Sequence, residues 1–229
     1  MTIKAVIFDL DGTIVVFNID SRAVRAEVRS FLINAGVPAS VLLVNESIFE
    51  MLKKTEIFLK NNEKTQEVIQ KTRDKALGIA EKFEYEAAKT TTLLSGVLET
   101  LKALKKMNLK SGLCTNNSEK TASYILSRFK IAEYFDVVTT RDKVKNVKPN
   151  TEHLETTLNA LNVNPNETVV VGDARMDMIP AQEMKTIAVG LATEASLQKE
   201  LVNAGADYII TTIVDLPILV RCINKTLKP

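Results

Sequence analysis

The chain has 229 residues and a formal net charge of +2, enough length for one large or two small cores. That charge gives no electrostatic case for a nucleic acid or an acidic membrane surface as partner. Hydrophobic residues make up 45% and charged residues 25%, the balance of an ordinary globular protein, and no apolar stretch approaches the ~20 residues of a membrane span. Cys114 and Cys222 lie far apart among aliphatic residues, with no CxxC or histidine partner, and read as buried thiols in a reducing compartment. The first residues read as a strand interrupted by acids, not as a secretory signal, so the expected compartment is the cytoplasm.

The first predicted element is a short buried strand, Ala5 to Phe8. It runs into Asp9-Leu10-Asp11-Gly12-Thr13, where residues two apart on extended chain point the same way. Asp9 and Asp11 therefore project together, and Gly12 lets the backbone turn where a Cβ would obstruct. Paired buried carboxylates are costly unless a cation relieves them, and Mg²⁺ is a hard cation that takes oxygen ligands. Thr13 adds a hydroxyl. An Asp-rich turn after an edge strand has the same composition, so the motif alone does not decide.

The apolar run Ile14 to Phe17 leads to Asp20, the expected N-cap of a helix from Ser21 to about Ala35, stopped by Gly36 and Pro38. From Pro38 to Thr92 the pattern is mainly helical, with segments ending at Asn61-Asn62 and running from Glu63 to Lys89. Residues 18–91 are thus expected to form a small helical bundle that interrupts an alternating domain of residues 1–17 and 92–229. The alternation then resumes. Helices at Val97–Met107, Glu119–Phe129, Thr151–Leu161 and Met178–Lys185 precede strands at Lys110–Cys114, Phe135–Thr139, Thr168–Val171 and Thr186–Val189. A last helix, Leu197–Ala204, precedes a last strand, Tyr208–Ile210. This order predicts an α/β fold with a doubly wound, parallel, Rossmann-like sheet and an inserted helical domain.

In such sheets ligands sit beyond the carboxyl ends of the strands. Asp9 and Asp11 follow the first strand. Thr115-Asn116-Asn117-Ser118 follows the second, a set that suits an anion at a helix N-terminus or simply caps the helix. Lys143, Lys145 and Lys148 follow the third, as a solvated loop or as anion ligands. Gly172-Asp173-Ala174-Arg175-Met176-Asp177 follows the fourth, its acids serving either a cation or the next helix N-terminus. Four polar groups arriving in order at one sheet edge argue for a common site.

These residues carry a resemblance to the haloacid dehalogenase-like hydrolases over essentially the whole chain: Asp9-Leu10-Asp11-Gly12-Thr13, Thr115-Asn116, Lys148-Pro149 and Gly172-Asp173-x-x-x-Asp177. The helical insert is similar to the cap of the subclass that contains phosphoglycolate phosphatase and β-phosphoglucomutase. The resemblance implies a Mg²⁺-dependent phosphatase acting on a small phosphorylated metabolite. Asp9 would be the nucleophile and Asp11 the acid and base. Mg²⁺ would be held by Asp9, the Asp11 carbonyl and Asp173, with Asp177 helping directly or through water. Thr115 and Lys148 would hold the transferring phosphoryl group, with Gly12, Thr13 and Asn116 lining the substrate. A phosphomutase shares these motifs, and a non-catalytic binding module is the rival outside enzymology. A dehalogenase is disfavoured by Asp11.

Departures from the family pattern stand at Asn146, where a glycine is common, at Thr151 where a second proline is frequent, and at Ala174 in place of a serine. His153 reads as a surface residue of its helix. Arg22, Arg25 and Arg29 share a helix face, read as a solvated stripe, with Arg22 the candidate to face substrate. Asp207 and Asp215 read as turn or capping residues. A cap of this kind is expected to close over a small substrate and to exclude a folded phosphoprotein. The expected assembly is a monomer or small homo-oligomer.

Overall fold

The computed structural model describes residues 2–226. The chain divides by its contacts into two compact units, Asn18–Thr90 and the described residues on either side of it.

The outer unit is built on six strands: β1 (Ala5–Phe8), β4 (Lys110–Thr115), β5 (Val137–Thr140), β6 (Thr168–Gly172), β7 (Ile187–Leu191) and β8 (Tyr208–Ile210). Their order across the sheet is β5-β4-β1-β6-β7-β8, and every neighbouring pair is parallel. Parallel strands joined by helices are covered on both faces, which is why β1 and β6 are buried at every residue. The chain moves outward from β1 through β4 to β5, then returns to the other side of β1 for β6. The order therefore reverses between β1 and β6, where such sheets open a ligand crevice. In register, Phe8 lies opposite both Leu113 and Val171, so Asp9, Thr115 and Asp173 all emerge at the carboxyl ends.

The connecting helices are α4 (Val97–Lys106), α5 (Glu119–Arg128), α6 (Thr151–Leu161), α7 (Arg175–Glu183) and α8 (Ala195–Asn203). Each lies within a few residues of its expected place, and side-chain caps set the starts of α5 and α6. Ser118 Oγ accepts from Thr121 N–H at 3.2 Å, and Asn150 Oδ1 accepts from Glu152 N–H at 3.0 Å. Three elements lie outside the sequence expectation. A ribbon of β2 (Val15–Val16) and β3 (Thr92–Leu93) pairs antiparallel at the two ends of the insert. Two-residue strands leave no periodic signal, and their pairing is non-local. Thr91 counts with this outer unit: its hydroxyl donates to the Val16 carbonyl, and its own carbonyl accepts from Arg128 at 2.7 Å. The third element is α9 (Leu216–Thr226), whose Leu216, Val220 and Ile223 are buried. Cys222 lies on the exposed side of α9, so the reading of two buried thiols holds only for Cys114. Asp207, just before β8, accepts from the Ala188 N–H of β7 at 2.8 Å, a contact across the sheet and not a turn or a helix cap.

The unit Asn18–Thr90 contains α1 (Ser21–Asn34), α2 (Ile48–Asn61) and α3 (Gln66–Thr90). Asp20 caps α1 through Arg22 N–H at 3.1 Å and Ala23 N–H at 3.0 Å. Ser47 and Glu50 form a reciprocal capping box at the start of α2. The core of this unit gathers Val24, Val28 and Leu32 of α1 with Met51 and Leu52 of α2 and Ala76 and Ala80 of α3. Alanines four apart let another helix approach α3 closely on that side. Arg29 is not part of a merely solvated stripe. Its guanidinium donates to the carbonyls of Leu42 at 2.9 Å and Ala39 at 3.2 Å, tying α1 to the loop that follows it.

Candidate active site

Asp9 leaves β1 with its N–H still bonded to the Val171 carbonyl at 2.9 Å, so the strand pairing carries it to the crevice. Across that crevice Asp173 and Asp177 follow β6, and oxygens of all three carboxylates lie within 4.8 Å of one another. Lys148 enters from the loop before α6. Its Nζ donates to Asp9 Oδ1 and to Asp177 Oδ1, each at 2.6 Å. Lys148 and Asp177 are buried, with only 5% and 2% of their side chains exposed, so screening of this pair by water is weak.

The crowding shows in the proton affinities. Burial, then Asp9 and Asp177, push Asp173 up to about 7. Burial also raises Asp177, although Lys148 opposes the shift. Burial alone would pull the Lys148 ammonium down, but Asp177 and Asp9 outweigh it and hold the lysine well above its ordinary value. With all three carboxylates ionised, as binding a cation requires, the single ammonium leaves a formal excess of two negative charges. A divalent cation with oxygen ligands fits that excess.

The glycines are matched to the same cluster. Gly12 has φ +77, and a Cβ there would stand 2.0 Å from Asp173 Oδ2. A Cβ on Gly172 would stand 2.3 Å from the Asp177 carboxyl carbon. Both positions need the missing side chain so that the acids can approach. Asp177 Oδ2 also accepts from Ala174 N–H at 3.2 Å, so this acid caps α7 as well as pairing with Lys148.

Other sequence candidates fall elsewhere. The Asp11 carboxylate is outside the three-acid cluster and is held by Asn117, whose Nδ2 donates to Oδ1 at 2.9 Å and Oδ2 at 3.0 Å. Asn117 is the residue that the sequence reading passed over in favour of Asn116. Its signal was present in the run Thr115-Asn116-Asn117-Ser118, but adjacent residues diverge and only the fold says which one turns inward. Asn116 instead donates to the Lys148 carbonyl at 3.1 Å and to Met176 Sδ at 3.6 Å. Its amide nitrogen is therefore engaged by the Lys148 loop and by Met176 of α7. Thr115 Oγ1 accepts from Asn117 N–H at 3.1 Å, which leaves its O–H to donate. Thr13 is fully buried, and among the described residues its hydroxyl has no hydrogen-bond partner. Gly12 serves the Asp173 carboxylate by its lack of a side chain. Lys143 and Lys145 stay exposed, unlike Lys148.

His153 corrects the expectation most directly. It is fully buried, with Nδ1 3.4 Å from the Lys148 amide nitrogen and Nε2 3.1 Å from the Thr139 carbonyl. On the first turn of α6 the inward face begins at His153 and Leu154, and a lone polar residue gave no periodic sign of it.

Comparison with known proteins gives the family. A family model described as haloacid dehalogenase-like hydrolase matches residues 6–191. A pyrophosphatase PpaX from Bacillus mycoides (strain KBAB4) is 36% identical over 126 residues, covering 55% of this chain and 59% of the relative. In that match the chain spans little more than half the length of its relative. A pyrophosphatase PpaX from Bacillus cereus (strain B4264) is 29% identical over 233 residues, covering 99% of this chain and 100% of the relative. Among solved structures, that of a predicted phosphoglycolate phosphatase from Haemophilus somnus 129pt aligns with a TM-score of 0.63 at 20% identity. It covers 96% of this chain and 98% of that one. At that identity the likeness speaks for the fold.

Proposed function

The chain belongs to the haloacid dehalogenase-like hydrolases, and from that premise we propose that it hydrolyses a small phosphomonoester through an aspartyl phosphate on Asp9. The observation that carries the reading is the Lys148 ammonium, 2.6 Å from both Asp9 and Asp177. It holds the nucleophile in place and offers positive charge where negative charge spreads over the transferring phosphoryl group.

Asp9 attacks phosphorus and its carboxylate oxygen forms the new P–O bond of an acyl phosphate, while the bond to the leaving oxygen breaks. Asp11 gives the leaving oxygen its proton, then takes one from the water that attacks the aspartyl phosphate. That second attack releases inorganic phosphate and restores Asp9. Asn117 aims the Asp11 carboxylate for both transfers, and the Thr115 hydroxyl donates to a phosphoryl oxygen. Asp9, Asp173 and Asp177, with the Asp11 carbonyl, would hold Mg²⁺, which when bound supplies neutralisation of charge on the phosphate and on the acids.

Inorganic pyrophosphate is a second reading, supported by the pyrophosphatase names that the relatives carry, and it uses the same groups with phosphate as leaving group. The test is phosphate release with Mg²⁺ from p-nitrophenyl phosphate, pyrophosphate and a panel of phosphorylated metabolites. Turnover that stops on chelation and disappears in Asp9→Asn is expected. An Asp9→Asn protein that keeps a tenth of the rate removes Asp9 from its role. Pyrophosphate turned over far faster than any monoester favours the second reading.

A further inference from the structure

Lys148 reaches two carboxylates from a long, flexible side chain, so the position of its backbone decides where the ammonium can stand. That backbone belongs to the segment between β5 and α6, outside any helix or strand. Its peptide groups are nevertheless held on both sides. The Lys148 carbonyl accepts from Asn116 Nδ2 at 3.1 Å, which ties it to the loop after β4. The Lys148 N–H points to His153 Nδ1 at 3.4 Å, at the long end of a hydrogen bond. The other ring nitrogen, Nε2, lies 3.1 Å from the Thr139 carbonyl of β5. Only the neutral tautomer with its proton on Nε2 satisfies both contacts, accepting at Nδ1 and donating at Nε2.

We propose that His153 is a positioning residue for Lys148, its neutral ring bridging the Thr139 carbonyl of the sheet to the peptide N–H of the lysine. The inference rests on the catalytic reading of Lys148 given above. His153 touches no reacting atom and acts through the lysine. Its surroundings keep the ring in the required form: burial, then the neighbouring Lys148 charge, press its pKa down to about 4. The backbone of the same residue is held within α6, its carbonyl accepting from Thr157 Oγ1 at 3.0 Å. A buried polar side chain needs both its partners, and here those partners are the sheet and the catalytic loop.

The consequence is specific to one nitrogen. Asparagine at 153 can place an oxygen near the Nδ1 position and keep the acceptor for Lys148. Glutamine reaches toward the Nε2 position and keeps the Thr139 contact instead. Leucine fills the space with neither. For a group displaced by about 1 Å the loss of rate is of order 10²-fold. His153→Leu is therefore expected to lower kcat roughly 10- to 100-fold. The same change should weaken inhibition by orthovanadate, a phosphoryl mimic, by a similar factor, with KM changed far less. His153→Asn should recover most of both losses, and His153→Gln should not. A structural role alone would lower the melting temperature in all three without separating Asn from Gln.

A readout that needs no activity is the ¹⁵N NMR spectrum of the wild-type protein. The expected result is an imidazole with its proton on Nε2 and a Lys148 amide protected from hydrogen exchange. His153→Gln should leave that amide exchanging at least tenfold faster, and His153→Asn should not. If the wild-type protein turns over no phosphate ester or pyrophosphate, the catalytic reading fails while the NMR result still decides the anchor. A proton on Nδ1, an unprotected Lys148 amide, or Asn and Gln variants that behave alike would overturn the proposal. Should His153→Leu fail to fold, the Asn and Gln pair and the wild-type spectrum carry the test.

Discussion

Lys148 is the side chain on which the acids depend, because it is the only cation that contacts both Asp9 and Asp177 among the described residues. Breaking a buried ion pair by removing one partner leaves charge with no compensation, a loss of about 3–5 kcal/mol. Lys148→Met is expected to lower the melting temperature of the metal-free protein and to cut turnover at least 10²-fold. Mg²⁺ should restore more stability to this variant than to wild type, since the ion binds only the folded acids. Equal thermal shifts in both proteins would show that the lysine does not offset the cluster. Asp173 allows a second prediction at this scale. With its pKa raised to about 7, it holds a proton in much of the metal-free protein at neutral pH. Metal binding requires the ionised form, so apparent Mg²⁺ affinity should fall as pH drops through 7. Calorimetry at pH 6.5 in buffers of different ionisation enthalpy should find protons released on Mg²⁺ binding. No release at that pH, with Mg²⁺ bound, would contradict it.

At the scale of elements, the site is the meeting of a strand end with a helix start. β6 ends in Gly172 and α7 begins three residues later, close enough that Asp177 packs over the glycine. Gly172→Ala would set a Cβ 2.3 Å from the Asp177 carboxyl carbon and 2.4 Å from its Oδ2, distances at which something must move. Overpacking of this kind costs about 1–3 kcal/mol, so the fold is expected to survive while Asp177 is driven off Lys148. The expected outcome is a loss of turnover larger than the loss of stability accounts for, together with weaker Mg²⁺ binding. Wild-type kinetics in the alanine variant would mean that α7 can shift without moving the carboxylate. β1 obeys the same logic from the other side. Its turn is closed by Gly12 N–H on the Val15 carbonyl at 2.8 Å, and Gly12 is there for the Asp173 carboxylate as much as for its own φ.

At the scale of the molecule, every group assigned to the chemistry lies in one of the two units. The other unit, Asn18–Thr90, enters and leaves through the β2–β3 ribbon, where Val16 pairs with Thr92. The two ends of the insert are therefore neighbours, and a short turn can replace it without stretching the sheet. A protein with residues 18–90 replaced by such a turn is expected to fold and to keep turnover of a small aryl phosphate. If the insert selects the leaving group, kcat/KM for the best metabolite should fall much further than for the aryl ester. Equal losses on both substrates would remove that selective role.

Much of the fold was legible from local signals, because buried parallel strands are continuous apolar runs and helices carry periodic faces and caps. Ala5–Phe8, the Asp20 cap and the helix at Thr151–Leu161 could be read with no partner in view. The acids at the strand ends were legible for the same reason: charge directly after a buried strand is locally conspicuous. Which side chain meets which was not local. Asn116 and Asn117 are chemically identical, and only the path from β4 into α5 turns the second toward Asp11. His153 looked like an ordinary polar helix residue until α6 was laid against β5, which closed the ring between Thr139 and Lys148. The β2–β3 ribbon required pairing across the whole insert. Composition and spacing determined the sheet, the insertion and the acidic edge. Long-range packing decided the partners, because contacts between residues distant in sequence leave no mark on either segment alone.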